Sequence, residues 1–206
     1  MCGIIAIAGN KSLKDSQING MLSALSLRGP DDIGFERFPG GVIGQTRLSI
    51  VDLVSGHQPM RDNTNPYSIV FNGEIYGYRD LRVALEKRGH KFRTTSDTEV
   101  ILKSYAEYGR DCVKHLDGMF AFAIWDDTKK ELFTARDRFG KKPFYYAYID
   151  GEFFGASEMK AIFSTNLIKG KIDGSAICDY LRLGYIPPHK TIYKNIHTLL
   201  PAHAGI

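Results

Sequence analysis

Several common catalytic signatures are missing from this 206-residue chain: a glycine-rich loop ending in Gly-Lys-Ser/Thr, H-E-x-x-H, C-x-x-C and G-x-S-x-G. The six histidines include no i, i+4 pair and none groups with cysteine at metal-ligand spacing, so no metal site is expected. P-loop kinase, zinc and serine-hydrolase chemistry are thereby disfavoured. The three cysteines, Cys2, Cys112 and Cys178, are an odd number without paired spacing, which fits a reducing compartment better than a disulfide framework. No run approaches the roughly 18 apolar residues of a membrane span. Ile4–Ala8 is too short and lacks the basic flank of a signal peptide, so a cytoplasmic protein with no membrane partner is expected. Net charge is only +4 and the basic residues are scattered. The densest run, Arg136, Arg138, Lys141 and Lys142, reads as a solvated face, and no nucleic-acid partner is expected.

What is present suits one folded domain. Hydrophobic residues make up 43% and charged residues 24% of the chain, and a chain of this length buries about 70% of its unfolded surface. Gly3–Gly9 is an apolar run bounded by glycines and predicts a strand buried on both faces. Ile18, Met21, Leu22 and Leu25 define one face of a helix ending before the turn-rich Arg28-Gly29-Pro30-Asp31-Asp32. Further strands are predicted at 42–48, 67–72, 119–125, 131–135, 144–149 and 152–156, the last two joined by an Asp150-Gly151 turn. Helices are predicted at 78–88, 96–108, 157–163 and 175–183, and Ser96-Asp97-Thr98-Glu99 has the form of a capping box. Strands come in groups joined by short turns, so the pattern predicts an α+β layered sandwich with antiparallel sheets.

With the usual chemistry missing, Cys2 draws interest through its position. If Met1 is removed, the thiol shares its residue with a free α-amine, which ordinarily titrates at about 7.7–8.0 and can act as a base near neutral pH. One residue then supplies both nucleophile and general base. The plainer reading is a small apolar residue in front of a buried strand, and position alone does not separate the two.

Other residues do. The ordered blocks are Met1-Cys2-Gly3-Ile4-Ile5-Ala6, Arg28-Gly29-Pro30-Asp31, Thr46-Arg47-Leu48-Ser49-Ile50-Val51-Asp52 and Phe71-Asn72-Gly73-Glu74-Ile75-Tyr76. They continue with Ser96-Asp97-Thr98-Glu99, Asp117-Gly118-Met119-Phe120-Ala121-Phe122, Ala135-Arg136-Asp137-Arg138-Phe139-Gly140 and Ala156-Ser157-Glu158. Together they resemble the N-terminal glutaminase domain of glutamine-hydrolysing asparagine synthetases, a class II glutamine amidotransferase. The resemblance implies a four-layer αββα sandwich of the N-terminal-nucleophile hydrolase type, with residues 1–206 forming one such domain.

It also implies a site. Cys2 would be the nucleophile, and the Asn72 side-chain amide and Gly73 N–H would form the oxyanion hole. Arg47 would bind the glutamine α-carboxylate with two parallel hydrogen bonds, and Glu74 and Asp97 would meet the α-ammonium. Leu48, Ser49, Ile50 and Val51 would form the pocket wall. Taken singly these residues have plainer readings: Arg47 a surface strand residue, Asn72-Gly73 a hairpin turn, Glu74 a turn residue, Asp97 a favourable acid in a helix's first turn. The implied reaction is thioester formation on Cys2, release of ammonia and hydrolysis to glutamate. A chain retaining Met1 is expected to be inactive, its α-amine being tied up in a peptide bond.

The sequence departs from the family pattern at Gln45, Gly77 and Lys141. The family's ATP-using synthetase domain, with its Ser-Gly-Gly-x-Asp-Ser loop, is absent after Ala202-His203. No cofactor is therefore expected here, ATP and Mg belonging to the synthetase domain. The expected partners are L-glutamine, a synthetase domain or subunit that accepts ammonia and, as an option, a second copy in a homodimer. The chain is expected to be a domain excised from a longer protein or a supplier to a separate subunit, with exposed apolar surface marking the neighbour. Two alternatives are open at this point: an amidotransferase for a sugar or nucleotide acceptor, and a non-catalytic glutamine-binding module. Cys112 and Cys178 are expected to be packing residues.

Overall fold

In the computed structural model, residues 1–9 and 13–206 are described. The run after Cys2 forms β1 (Gly3–Ala8), and its two faces enter different cores: Ile4 and Ala6 one, Ile5 and Ile7 the other. This is why the strand is apolar throughout. Along the chain follow α1 (Asp15–Ala24), β2 (Asp32–Phe38), β3 (Gly41–Arg47), β4 (Met60–Arg61) and β5 (Tyr67–Ile75). Then come α2 (Tyr78–Lys87), α3 (Asp97–Tyr108), β6 (Gly118–Asp126), β7 (Glu131–Arg136), β8 (Tyr145–Ile149) and β9 (Glu152–Ala156). The last elements are α4 (Met159–Phe163), α5 (Gly174–Leu183), β10 (His197–Thr198) and β11 (Ala204–Gly205).

The strands form two antiparallel sheets, ordered β10-β8-β9-β1-β3-β2 and β11-β7-β6-β5-β4. Between them Ile4, Ala6 and Ile43 of the first sheet meet Val70, Ala121, Ala123 and Trp125 of the second. The alternate residues face outward into helices. Ile5, Ile7 and Phe154 pack under Ile18, Met21 and Leu22 of α1 and Ile162 of α4, and Phe71, Phe122 and Phe133 pack under Ile101, Leu102 and Tyr105 of α3. Each fully buried side chain of this size contributes about 1.5–3 kcal/mol. The result is the expected αββα order of layers.

The β8–β9 hairpin turns at Asp150 (φ 52°) and Gly151 (φ 84°), the two positive values that a two-residue turn of this twist requires. Other local expectations are corrected. Strand β2 was not anticipated because Glu36 and Arg37 break its alternation and Ile33 is exposed, as an outer strand permits. The capping box does not close. Ser96 Oγ accepts from the N–H of Thr98 at 3.1 Å, while the Glu99 carboxylate turns away to the Arg93 and Thr94 N–H groups and the Thr94 hydroxyl. The basic run is a solvated face only in part: Arg138 and Lys141 are exposed, but Arg136 is half-buried and Lys142 is buried. Cys112 is buried and its thiol is pushed up to about 12 by desolvation, but Cys178 is exposed on α5 and is no packing residue.

Helix α5 buries only Ala176 and leaves Ile177, Tyr180, Leu181 and Leu183 exposed, an apolar face of the kind the sequence led us to expect. Among the described residues no helix is long and apolar enough to cross a membrane.

Candidate active site

Cys2 sits at the head of β1, which lies between β3 and β9 within its sheet. Its carbonyl accepts from Arg28 Nε at 2.9 Å, and Arg28 is itself paired with Glu158 at 3.0 Å. Ile4 and Ser157 exchange two hydrogen bonds of 3.0 and 2.9 Å, which fixes the start of the strand against the segment after β9. A Cβ at position 3 would come within 2.7 Å of both Leu25 Cβ and Thr46 Oγ1, so glycine must follow the cysteine. The Cys2 thiol lies beside the chain at Leu48, with Sγ 3.5 Å from Leu48 N and 3.6 Å from Leu48 O.

The thiol faces a cavity of about 180 Å³ lined by Cys2, Arg47, Leu48, Ile50, Val51, Asn72, Gly73, Glu74 and Asp97, together with Met1, Gln58, Met119 and Lys142. The structure thus brings together every residue named for the site except Ser49, whose N–H is turned to Asp31 Oδ2 at 2.7 Å. The volume is below the roughly 300–1,000 Å³ of drug-sized pockets and suits a small metabolite. A larger cavity of about 460 Å³ lies between β7–β11 and β8–β9, walled by Leu132, Phe144, Tyr146 and Phe153. Its lining also includes Lys130, Glu131 and His203, but no cysteine and none of the residues named for the site.

Asn72 and Gly73 are inside β5, not in a hairpin turn. Gly73 stands opposite Phe120, whose N–H and C=O are both committed to Asp137. The Gly73–Phe120 pair is therefore of the non-hydrogen-bonded kind, and the Gly73 N–H points away from β6. Two residues to either side, the N–H of Phe71 donates to Gln58 Oε1 at 2.6 Å and that of Ile75 to Asp97 Oδ2 at 3.1 Å. The Gly73 N–H lies between these on the cavity side of the strand. A Cβ at Gly73 would stand 2.1 Å from Met119 O, so no other residue fits. Asn72 is 1% exposed, yet among the described residues its Nδ2 has no hydrogen-bond partner. A buried amide donor without an acceptor costs about 1–3 kcal/mol, the kind of cost found where a site waits for its ligand.

Arg47 ends β3 and is 4% exposed, so it is not a surface strand residue. Its guanidinium holds the following loop by three carbonyls, those of Leu53 (3.4 Å), Val51 (3.3 Å) and Asp52 (2.6 Å). Both hydrogens of Nη2 are thereby used, and the two-pronged grip expected for a carboxylate is turned onto the protein's own backbone. Asp97 is buried in the first turn of α3, and burial pushes its carboxyl up against the pull of the Ile75 and Thr98 N–H groups, with the Glu74 charge adding to the rise. A cation delivered between Glu74 and Asp97 would relieve both effects.

Gln45, one of the departures, is buried and its Nε2 donates to Phe71 O at 2.7 Å, tying the two sheets together beside the cavity. At Gly77, which enters α2, a Cβ would meet no heavy atom within 4 Å among the described residues beyond its chain neighbours, and Lys141 is exposed. Sequence reasoning missed Lys142, Gln58 and Met119, because no local pattern brings positions so far apart to one wall.

Paired antiparallel sheets between helical layers, with a cysteine heading an inner strand and opening on a small cavity with charged side chains in its wall, define the N-terminal-nucleophile hydrolase architecture of class II glutamine amidotransferases. The chain belongs to the glutamine amidotransferase domain family, whose model it matches over residues 1–206. It is 42% identical to asparagine synthetase [glutamine-hydrolyzing] 3 of Bacillus subtilis, over 99% of this chain and 34% of that protein. It is also 42% identical to a putative asparagine synthetase [glutamine-hydrolyzing] 2 of Methanocaldococcus jannaschii, over 97% of this chain and 42% of that protein. The chain thus spans only 34–42% of the length of these curated relatives. Among solved structures it resembles the glutamine phosphoribosylpyrophosphate amidotransferase of B. subtilis, with a TM-score of 0.66 at 20% identity over 84% of this chain and 45% of that one.

Proposed function

We propose that this domain hydrolyses L-glutamine to glutamate and ammonia, with Cys2 as nucleophile once Met1 has been removed. The observation that carries the reading is the meeting, in one small cavity, of the Cys2 thiol with the unpartnered Asn72 amide and the Gly73 N–H. The α-amine of Cys2 takes the thiol proton as Sγ attacks the side-chain carbonyl. Asn72 Nδ2 and the Gly73 N–H receive the developing oxyanion, donors worth about 2.7–4 kcal/mol each in acyl transfer. Collapse of the tetrahedral intermediate expels ammonia, which takes the proton from the amine, and water then hydrolyses the thioester with the amine as base. Glu74 and Asp97 bind the α-ammonium. Arg47 binds the α-carboxylate by exchanging loop carbonyls for substrate oxygens.

The relatives' names point to asparagine as the end product, the ammonia passing to an ATP-dependent synthetase domain or subunit. The apolar face of α5 supports the presence of such a neighbour.

Glutamate release by the Met1-free chain is the direct assay, paired with intact-mass detection of a thiol-reactive glutamine analogue. The expected result is turnover and one adduct per chain, both lost in Cys2→Ala and in a chain that retains Met1. Undiminished turnover in Cys2→Ala would remove Cys2 from the mechanism, and a Met1-free chain that binds glutamine without forming an adduct would make the domain a binding module.

A further inference from the structure

Lys142 is 7% exposed and lines the cavity with Cys2. Among the described residues its ammonium has one hydrogen-bond partner, Met1 Sδ at 3.3 Å. A thioether is a weak acceptor, and this one belongs to the residue whose removal the proposed reaction requires. The turn that carries Lys142 is clamped from both sides. Arg136 donates to Lys142 O and Gly140 O, both at 2.7 Å, while the buried Asp137 carboxylate accepts from the Lys141 and Lys142 N–H groups at 2.9 and 3.0 Å. A flexible cation is thus held by its backbone in a place that desolvates it, and this is costly unless a negative charge faces it.

The charged groups around Lys142 come from four elements: Cys2 at the head of β1, Arg28 of the Ser26–Arg28 turn, Glu74 of β5 and Asp137 after β7, with Arg47 and Asp97 across the cavity. Asp137 is occupied by backbone N–H groups, and Arg28 by Glu158 and the Cys2 carbonyl. We propose that Lys142 is a further functional residue of the site, its ammonium facing Cys2 and stabilising the thiolate from which attack begins. The inference rests on Cys2 being the nucleophile. The thiol proton goes to the Cys2 α-amine, and Lys142 keeps its own proton throughout. Burial and Arg28 press the Lys142 ammonium down from its ordinary range, while Asp137, Cys2 and Glu74 hold it up.

The test is the pH profile of iodoacetamide alkylation at Cys2 in the Met1-free chain, read by peptide mass so that the exposed Cys178 is scored separately. Lys142→Met and Lys142→Gln are expected to alkylate about tenfold more slowly near pH 7, with the profile displaced upward by about one pH unit, and Lys142→Arg to restore most of the rate. Two apolar or neutral variants are used so that a folding failure in one leaves the other. Profiles superposing on the unsubstituted chain would overturn the proposal. Alkylation needs no turnover, so a displaced profile in a chain that releases no glutamate would retain Lys142's role and reject the glutaminase reading, and the converse pair of results would do the opposite.

Discussion

Asn72 is enclosed on a strand between two partners, and its amide nitrogen has no acceptor among the described residues. In the proposed reaction this donor receives the oxyanion, and its value is realised only when negative charge develops there. Asn72→Ala is therefore expected to lower kcat for glutamate release by about 100- to 1,000-fold. The thermal midpoint should scarcely change, since no protein hydrogen bond from Nδ2 is lost. A thermal melt beside steady-state kinetics checks both halves. The Asn72-Gly73 pair was legible as a site only through its ordered motif, because the same two residues ordinarily read as a turn. Lys142 was not legible at all. Its burial depends on Arg136 bonding Thr198 Oγ1 and Leu199 O, some sixty residues away, at 3.1 and 2.6 Å.

The loop between β3 and β4 is fastened at two points. Arg47 holds its carbonyls, and Asp52 (φ 50°) accepts from the N–H and hydroxyl of Ser55 and of Thr95, latching the loop to the segment before α3. Burial alone would raise the Asp52 carboxyl, but these four hydrogen bonds outweigh it and bring it to about 2 from an ordinary 3.8. A depressed folded-state value means that the latch contributes fully above about pH 4 and is lost as pH falls toward 2. Hydrogen exchange at the Ser55 and Thr95 amides should accelerate across that window, and Asp52→Asn should flatten the dependence. An unchanged acid profile in Asp52→Asn would place the latch elsewhere. Local patterns found the helices to within a residue or two at most ends, because their apolar spacing is strong. They failed on β2, where an outer strand needs only one buried face, and on the capping box, where Thr94 offered Glu99 better donors.

At the scale of the whole molecule, the grouping of strands in the sequence revealed paired antiparallel sheets, since short turns permit no other connection. Their order was not accessible, because β1 pairs with β3 on one side and with β9, more than a hundred residues later, on the other. The ends of the sheets show the same dependence on distant chain. Strand β7 is capped by β11 alone, through Ala135↔Ala204 and Thr134↔Gly205, with the Arg136 N–H adding a bond to His203 O at 3.0 Å. A ladder this short is expected to keep Glu131–Arg136, a β-rich stretch, from serving as a template for other chains. A chain cut after Leu200 is expected to scatter light in a concentration-dependent way, while its monomer fraction alkylates at Cys2 as before. Equal scattering by the cut and uncut chains would show that β7 needs no cover. Ala204 and Gly205, which take no part in the cavity around Cys2, are thus expected to act as a guard against fibre-like stacking.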